Sequence, residues 1–131
     1  MVFQQKQRVF SVFEGGEIMS DCIFCKMVNK EIPVQAVYED EEILAFKDIN
    51  PLAPVHIILI PKKHIADATQ LKSEDAGLIG RIHLVAVKIA KESGIEENGF
   101  RLVNNCKADG GQEVFHLHFH LLGGQKLGLF V

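Results

Sequence analysis

His116-Leu-His-Phe-His-Leu-Leu122 sets three of the chain's six histidines at alternate positions. Side chains alternate along a strand, so His116, His118 and His120 share one face while Leu117, Phe119 and Leu121 share the other. Alternate residues lie roughly 6.6–6.8 Å apart, which makes a compact row of imidazoles. The apolar face belongs to a core. The imidazole face is expected to line a cleft, because three stacked, buried histidines are costly to desolvate. Such a row also suits a metal, and that reading stays open on these residues alone.

The rest of the chain reads outward from this stretch. Val114 to Leu122 is a fifth strand, preceded by the polar loop Cys106-Lys-Ala-Asp-Gly-Gly111 and by a fourth strand, Phe100 to Asn105. Leu78, Ile79, Ile82, Val85, Ala86, Ile89 and Ala90 recur at helical spacing; Ser73, Glu74 and Asp75 resemble a capped start, and Ser93-Gly94 an end. Upstream, His56 to Ile60 reads as a buried strand stopped by Pro61, after a loop constrained by Asn50-Pro51 and Pro54. Val34 to Glu39 and Ile43 to Asp48 read as two short strands around an acidic turn. Ser20-Asp21 offers an N-cap to a short helix over Cys22 to Lys30, closed by Pro33. One long and one short helix with five strands at hairpin spacing predict an α+β domain on a five-stranded antiparallel sheet.

With 131 residues the chain fits one domain, and 47% apolar with 24% charged residues is ordinary globular composition. A formal charge of −3 argues against a nucleic-acid surface, though one pocket can still hold a small phosphorylated ligand. No apolar run approaches the roughly 20 residues that span a bilayer. Three cysteines, two of them in Cys22-x-x-Cys25, argue against a disulfide framework and for a reducing cytoplasm. Residues 1–18 lack the apolar stretch of a signal peptide and read as a leader or extension, leaving residues 19–131 as the domain.

The three-histidine row, with an apolar residue at each intervening position, resembles the signature of the histidine triad (HIT) family. Asp109-Gly-Gly-Gln-Glu-Val-Phe115, Phe46-Lys-Asp-Ile-Asn-Pro51, Ala53-Pro-Val-His56 and Ile60-Pro-Lys-Lys-His64 match the family in order and spacing. The match runs from about Asp21 to Gln125 and looks closest to the Hint branch, the purine nucleoside phosphoramidases. It implies the HIT fold, a homodimer, and hydrolysis of purine nucleoside 5′-phosphoramidates or aminoacyl adenylates to the monophosphate. His118 is then the nucleophile, forming a covalent nucleotidyl–histidine that water releases with overall retention at phosphorus. His120 donates to a phosphate oxygen, His56 orients or protonates the leaving group, and His116 completes the catalytic row. A neutral imidazole suits this role because its pKa lies near neutrality.

The same resemblance gives Asp48 the ribose hydroxyls and makes Ile23, Phe24, Met27, Phe46, Ile49 and Ile58 the apolar slot for the base. Gly111, Gln112 and Asn104 are expected on the phosphate side. Glu113 stands where animal Hint proteins carry a serine that serves the leaving group. Cys22 and Cys25, completed by His64 and His116, match a structural zinc site found in several relatives of the family. Cys106 and His83 match no motif and read as ordinary packing or surface residues. Two other functions stay in view: dinucleoside polyphosphate hydrolysis, and nucleotide binding or scaffolding with vestigial chemistry.

Overall fold

The structure, a computed structural model, describes residues 21–129. The expected leader, residues 1–18, and the Ser20 cap lie outside that range. In chain order the elements are α1 (Ile23–Val28), β1 (Ala36–Glu39), β2 (Ile43–Lys47), β3 (Val55–Pro61), α2 (Ala76–Glu92), β4 (Phe100–Val103) and β5 (Phe119–Gly123). Two single 3-10 turns, Ala68–Gln70 and Ser73–Asp75, precede α2.

The strands form one antiparallel sheet in the order β1-β2-β3-β5-β4. Alternation along each strand then builds two apolar layers. Ile43 and Ala45 of β2, Ile57 and Leu59 of β3, and Phe119 and Leu121 of β5 pack with Ile82, Val85, Ala86, Ile89 and Ala90 of α2. Leu44, Phe46, Ile58 and Ile60 point the other way and pack with Phe24, Cys25 and Met27 of α1. Fully burying a Leu, Ile or Phe side chain is worth roughly 1.5–3 kcal/mol, so these two layers supply most of the drive to fold.

Local chemistry sets the ends of the elements. α1 is capped by the Cys22 sulfur, which accepts from the Cys25 amide at 3.3 Å, a cap not read from Ser20-Asp21. The expected Ser73 does not cap α2: it opens the 3-10 turn Ser73–Asp75, whose N-cap is Lys72, and the N-cap of α2 itself is Asp75. The Asp75 carboxylate accepts from the Lys72 amide at 2.9 Å, and Lys63 holds the other oxygen at 2.9 Å. β4 is an edge strand, as its mixed polarity suggests, paired with β5 alone.

β5 is shorter than expected, and the reason bears on function. The β3–β5 ladder ends at Leu59 and Phe119, so His116 and His118 lie before the strand. Pro61 has no N–H to extend a ladder, and its carbonyl is taken by the His116 ring at 2.8 Å. The Leu117 amide turns instead to the Ile65 carbonyl at 2.6 Å. Alternation survives without the ladder: Leu117 and Leu121 are fully buried in the α2 layer, and the histidines point to the α1 side.

Candidate active site and metal centre

On the α1 side a cavity of about 300 Å³ opens between the ends of β3, β4 and β5. Asp48, His56, Asn105, Glu113, His118 and His120 give it polar groups, and Leu52, Val103, Val114 and Leu122 give it apolar walls. The expectation that all three triad histidines line a cleft is corrected here. His118 and His120 do line it, but His116 is fully buried behind them. Its burial is tolerable because both ring nitrogens have partners.

Hydrogen bonds fix the tautomers of the other rings. His118 Nδ1 lies 2.7 Å from the His116 carbonyl, which can only accept, so Nδ1 carries the proton and Nε2 keeps its lone pair. The Leu52 amide donates to His56 Nδ1 at 3.0 Å, which places the proton of His56 on Nε2. That N–H donates to His120 Nδ1 at 2.9 Å, so the His120 proton sits on Nε2. The cavity is therefore given one basic nitrogen, from His118, and one N–H donor, from His120.

Burial keeps these rings uncharged. It lowers His56 and His118 below the ordinary imidazole range and pushes His120 down to about 3, with the neighbouring His118 and His56 adding to the effect. Phe24 packs edge-on against His118 with centroids 5.2 Å apart, and supplies part of that apolar surrounding. A neutral imidazole is what nucleophilic attack needs.

Asp48 is buried at the edge of the cavity. Its Oδ1 accepts from the Asn50 amide at 2.8 Å, while Oδ2 is buried without a hydrogen bond, 3.4 Å from His56 Nε2. Such an orphan carboxylate oxygen keeps unfilled acceptor capacity. Asp48, His56 and His120 are close enough to hold a cation, but the tautomers oppose it. A cation on His56 Nε2 would force a proton onto Nδ1, against the Leu52 N–H.

The second cluster has the opposite chemistry. With its Nε2 proton given to the Pro61 carbonyl, His116 aims a free Nδ1 lone pair at Cys22 Sγ (3.3 Å), Cys25 Sγ (3.6 Å) and His64 Nδ1 (3.2 Å). Cys25 Sγ lies 3.3 Å from His64 Nδ1. A tetrahedral zinc site has N···N edges of about 3.3–3.4 Å and N···S edges of about 3.5–3.6 Å, from its usual bond lengths. These four edges fit that figure to within a few tenths of an ångström, all four ligand atoms lie within 4.8 Å of one another, and this group could hold a metal. Without one, the hydrogen bond with Cys25, and then burial, hold the Cys22 thiol far above its usual range. A bound cation reverses that preference and draws out the thiolate.

Other expected site residues fall into three groups. Gly111 and Glu113 line the cavity with Asp48, His118 and His120. Phe24, Met27, Phe46 and Ile58 are buried in the α1 layer, Ile23 packs against it half-buried, and Ile49 projects 71% exposed beside Asp48. None of these six lines the cavity as it stands. The amides of Gln112 and Asn104 are used elsewhere, which departs from the phosphate-side expectation. Gln112 clasps its loop, donating to the Ala66 and Val114 carbonyls at 2.9 and 3.0 Å and accepting from the Lys107 amide at 2.7 Å. Asn104 donates to the His118 carbonyl at 2.9 Å. The cavity-side asparagine is Asn105, two residues past the cavity-lining Val103, and alternation carried along the strand expected over Phe100 to Asn105 would have found it. The role of the Leu52 amide leaves no signal in a sequence. Cys106 sits 3.8 Å from an Asp67 oxygen, and His83 is an exposed helix residue bonded to the Ile79 carbonyl.

Comparison with known proteins agrees with this geometry. Residues 29–127 match the family model described as HIT domain. The protein HitA of Neisseria gonorrhoeae is 50% identical over 105 residues, covering 80% of this chain and 97% of that protein. The purine nucleoside phosphoramidase of Escherichia coli (strain K12) is 46% identical over 108 residues, covering 82% of this chain and 91% of its own. A solved HIT family hydrolase from Clostridium thermocellum superposes with a TM-score of 0.83 at 47% identity, covering 86% of this chain and 98% of that one. Matched residues, sequence identity and fold agree: this chain belongs to the HIT domain family and is a HIT-family hydrolase.

Proposed function

We propose that this hydrolase cleaves purine nucleoside 5′-phosphoramidates, or the related aminoacyl adenylates, to the nucleoside monophosphate. The observation that carries the reading is the tautomer pattern: a buried, neutral His118 with its lone pair on Nε2, beside a His120 whose proton is on Nε2. In the first step His118 Nε2 forms a bond to the α-phosphorus and the P–N bond breaks. The amine leaves with a proton taken from solvent. The positive charge of the nucleotidyl–imidazole is held by the His116 carbonyl at Nδ1. Water then attacks the same phosphorus, releases the monophosphate and restores neutral His118. His120 Nε2–H serves a non-bridging phosphate oxygen, and pre-set donors of this kind contribute most where charge develops.

The Glu113 N–H, which makes no hydrogen bond among the described residues, supplies a second donor, with Gly111 and Asn105 beside it. The Gly111 and Gln112 amides are already used in the turn, donating to Ala108 and Lys107 carbonyls. Asp48 Oδ2 takes the ribose hydroxyls, and the exposed Ile49 closes over the base. His56 acts through His120, whose tautomer it sets.

Zinc at Cys22, Cys25, His64 and His116 plays a structural part. It ties α1 to the segment that carries His118 and touches no substrate. Thiolate ligands suit a reducing cytoplasm, and no helix among the described residues is long and apolar enough to cross a membrane. The protein works as a homodimer, on the support of an edge strand at β4 and an outward face of α2 that leaves Leu84 70% and Val87 38% exposed. The test is direct: adenosine 5′-phosphoramidate incubated with the protein yields AMP. No AMP from it, or from guanosine phosphoramidate, overturns the reading.

A further inference from the structure

The cavity is short of positive charge. No lysine or arginine is among its lining residues, and its three histidines are neutral at pH 7. Its two ionic groups are the carboxylates of Asp48 and Glu113. Asp48 is buried at one side, next to His56. Glu113 is exposed at the mouth, on the loop that immediately precedes the histidine segment. Among the described residues Glu113 has no ion-pair or hydrogen-bond partner, so no neighbour neutralises its charge. Its field reaches the reacting centre, where it favours a protonated His118.

A substrate enters this cavity already carrying one negative charge on the α-phosphate, and hydrogen-bond donors alone meet it. A leaving group that adds negative charge has no cation to receive it, whereas sites that release polyphosphate use Arg, Lys or Mg²⁺ clamps. Taking the phosphoramidase reading as given, we propose that Glu113 selects the leaving group by charge, favouring amines that carry a second, protonated nitrogen and disfavouring anionic ones. The preferred substrate class is then a nucleoside 5′-phosphoramidate of an alkylammonium-bearing amine. Glu113 acts on the tail of the departing amine and takes no part in making or breaking bonds to phosphorus.

Three adenosine 5′-phosphoramidates of equal length test this: one with an ammonium tail, one with a methyl tail and one with a carboxylate tail. An exposed carboxylate contributes modestly, and attraction and repulsion both enter the ratio of the two charged substrates. The expected kcat/KM ratio of ammonium to carboxylate tail is on the order of tenfold at low ionic strength for the wild type. It falls towards unity in Glu113→Gln, inverts in Glu113→Lys, and shrinks for the wild type in high salt. Reading a ratio within each protein cancels any change in overall activity that the substitution brings. A ratio equal in wild type and Glu113→Gln overturns the assignment of Glu113 while leaving the phosphoramidase reading intact. Absence of AMP from all three amidates with the wild type overturns that reading, and this inference with it.

Discussion

Removing the metal centre should cost stability before it costs chemistry, and the structure sets the size of the effect. Four of the six ligand-to-ligand separations are 3.2–3.6 Å, close to the edges of a zinc tetrahedron, and all four atoms lie within 4.8 Å of one another, so little rearrangement opposes binding. A ligand that binds the folded state alone stabilises it by about 4 kcal/mol when present at a thousand times its dissociation constant. For a domain of this length each kcal/mol moves the midpoint by roughly 3–5 °C, so the loss is about 12–20 °C. Cys22→Ser combined with Cys25→Ser should therefore bind no zinc and melt that much lower, whereas wild type carries about one zinc per chain. Metal analysis by mass spectrometry and a thermal melt with and without a strong chelator are the assays. Chelator added during a short assay at room temperature should leave turnover nearly unchanged, because the four ligands lie outside the cavity. Zinc-free wild type prepared without chelator, or an unchanged midpoint in the double variant, would refute the reasoning.

Two further outcomes follow from geometry. His120 is depressed to about 3 when folded, so between pH 6.5 and 3 the unfolded chain binds a proton that the folded chain refuses. Stability must then fall as pH drops through that window, by up to about 1.4 kcal/mol per pH unit from this group, and His120→Gln should flatten the slope in urea melts between pH 7 and 5. A dimer that uses the outer face of α2 should dissociate when the exposed Leu84 becomes Glu, and light scattering at micromolar concentration should show monomers; wild-type monomers would contradict the assembly.

Much of this was legible because alternation and helical spacing are strong signals. Leu117, Phe119 and Leu121 against the histidines gave the two faces of the segment that runs into β5, and Ile82, Val85, Ala86, Ile89 and Ala90 gave the buried stripe of α2. Cys22, Cys25, His64 and His116 came together from four places in the chain, which resemblance gathered and periodicity alone would not. What escaped was set by individual hydrogen bonds that follow no repeating pattern. Pro61 and Ile65 end the ladder before His118, Gln112 spends its amide on the distant Ala66 carbonyl as well as on its own loop, and Leu52 orients His56 through its backbone. None of these partners is visible in a local pattern. Asn105 is the exception, since the face it shares with Val103 was there to be read.

The central claim is that His118 Nε2 is the atom that attacks phosphorus. The most direct measurement is rapid quenching of wild-type protein with adenosine phosphoramidate into alkaline denaturant, followed by mass spectrometry of the peptide that holds the histidine row. The account predicts an adenylyl group on His118 that forms and decays at rates compatible with turnover. It also predicts no adduct in His118→Ala, with kcat lowered by roughly three orders of magnitude or more while nucleotide binding persists. An adduct mapped to another residue, or turnover by His118→Ala within about tenfold of wild type, would contradict it.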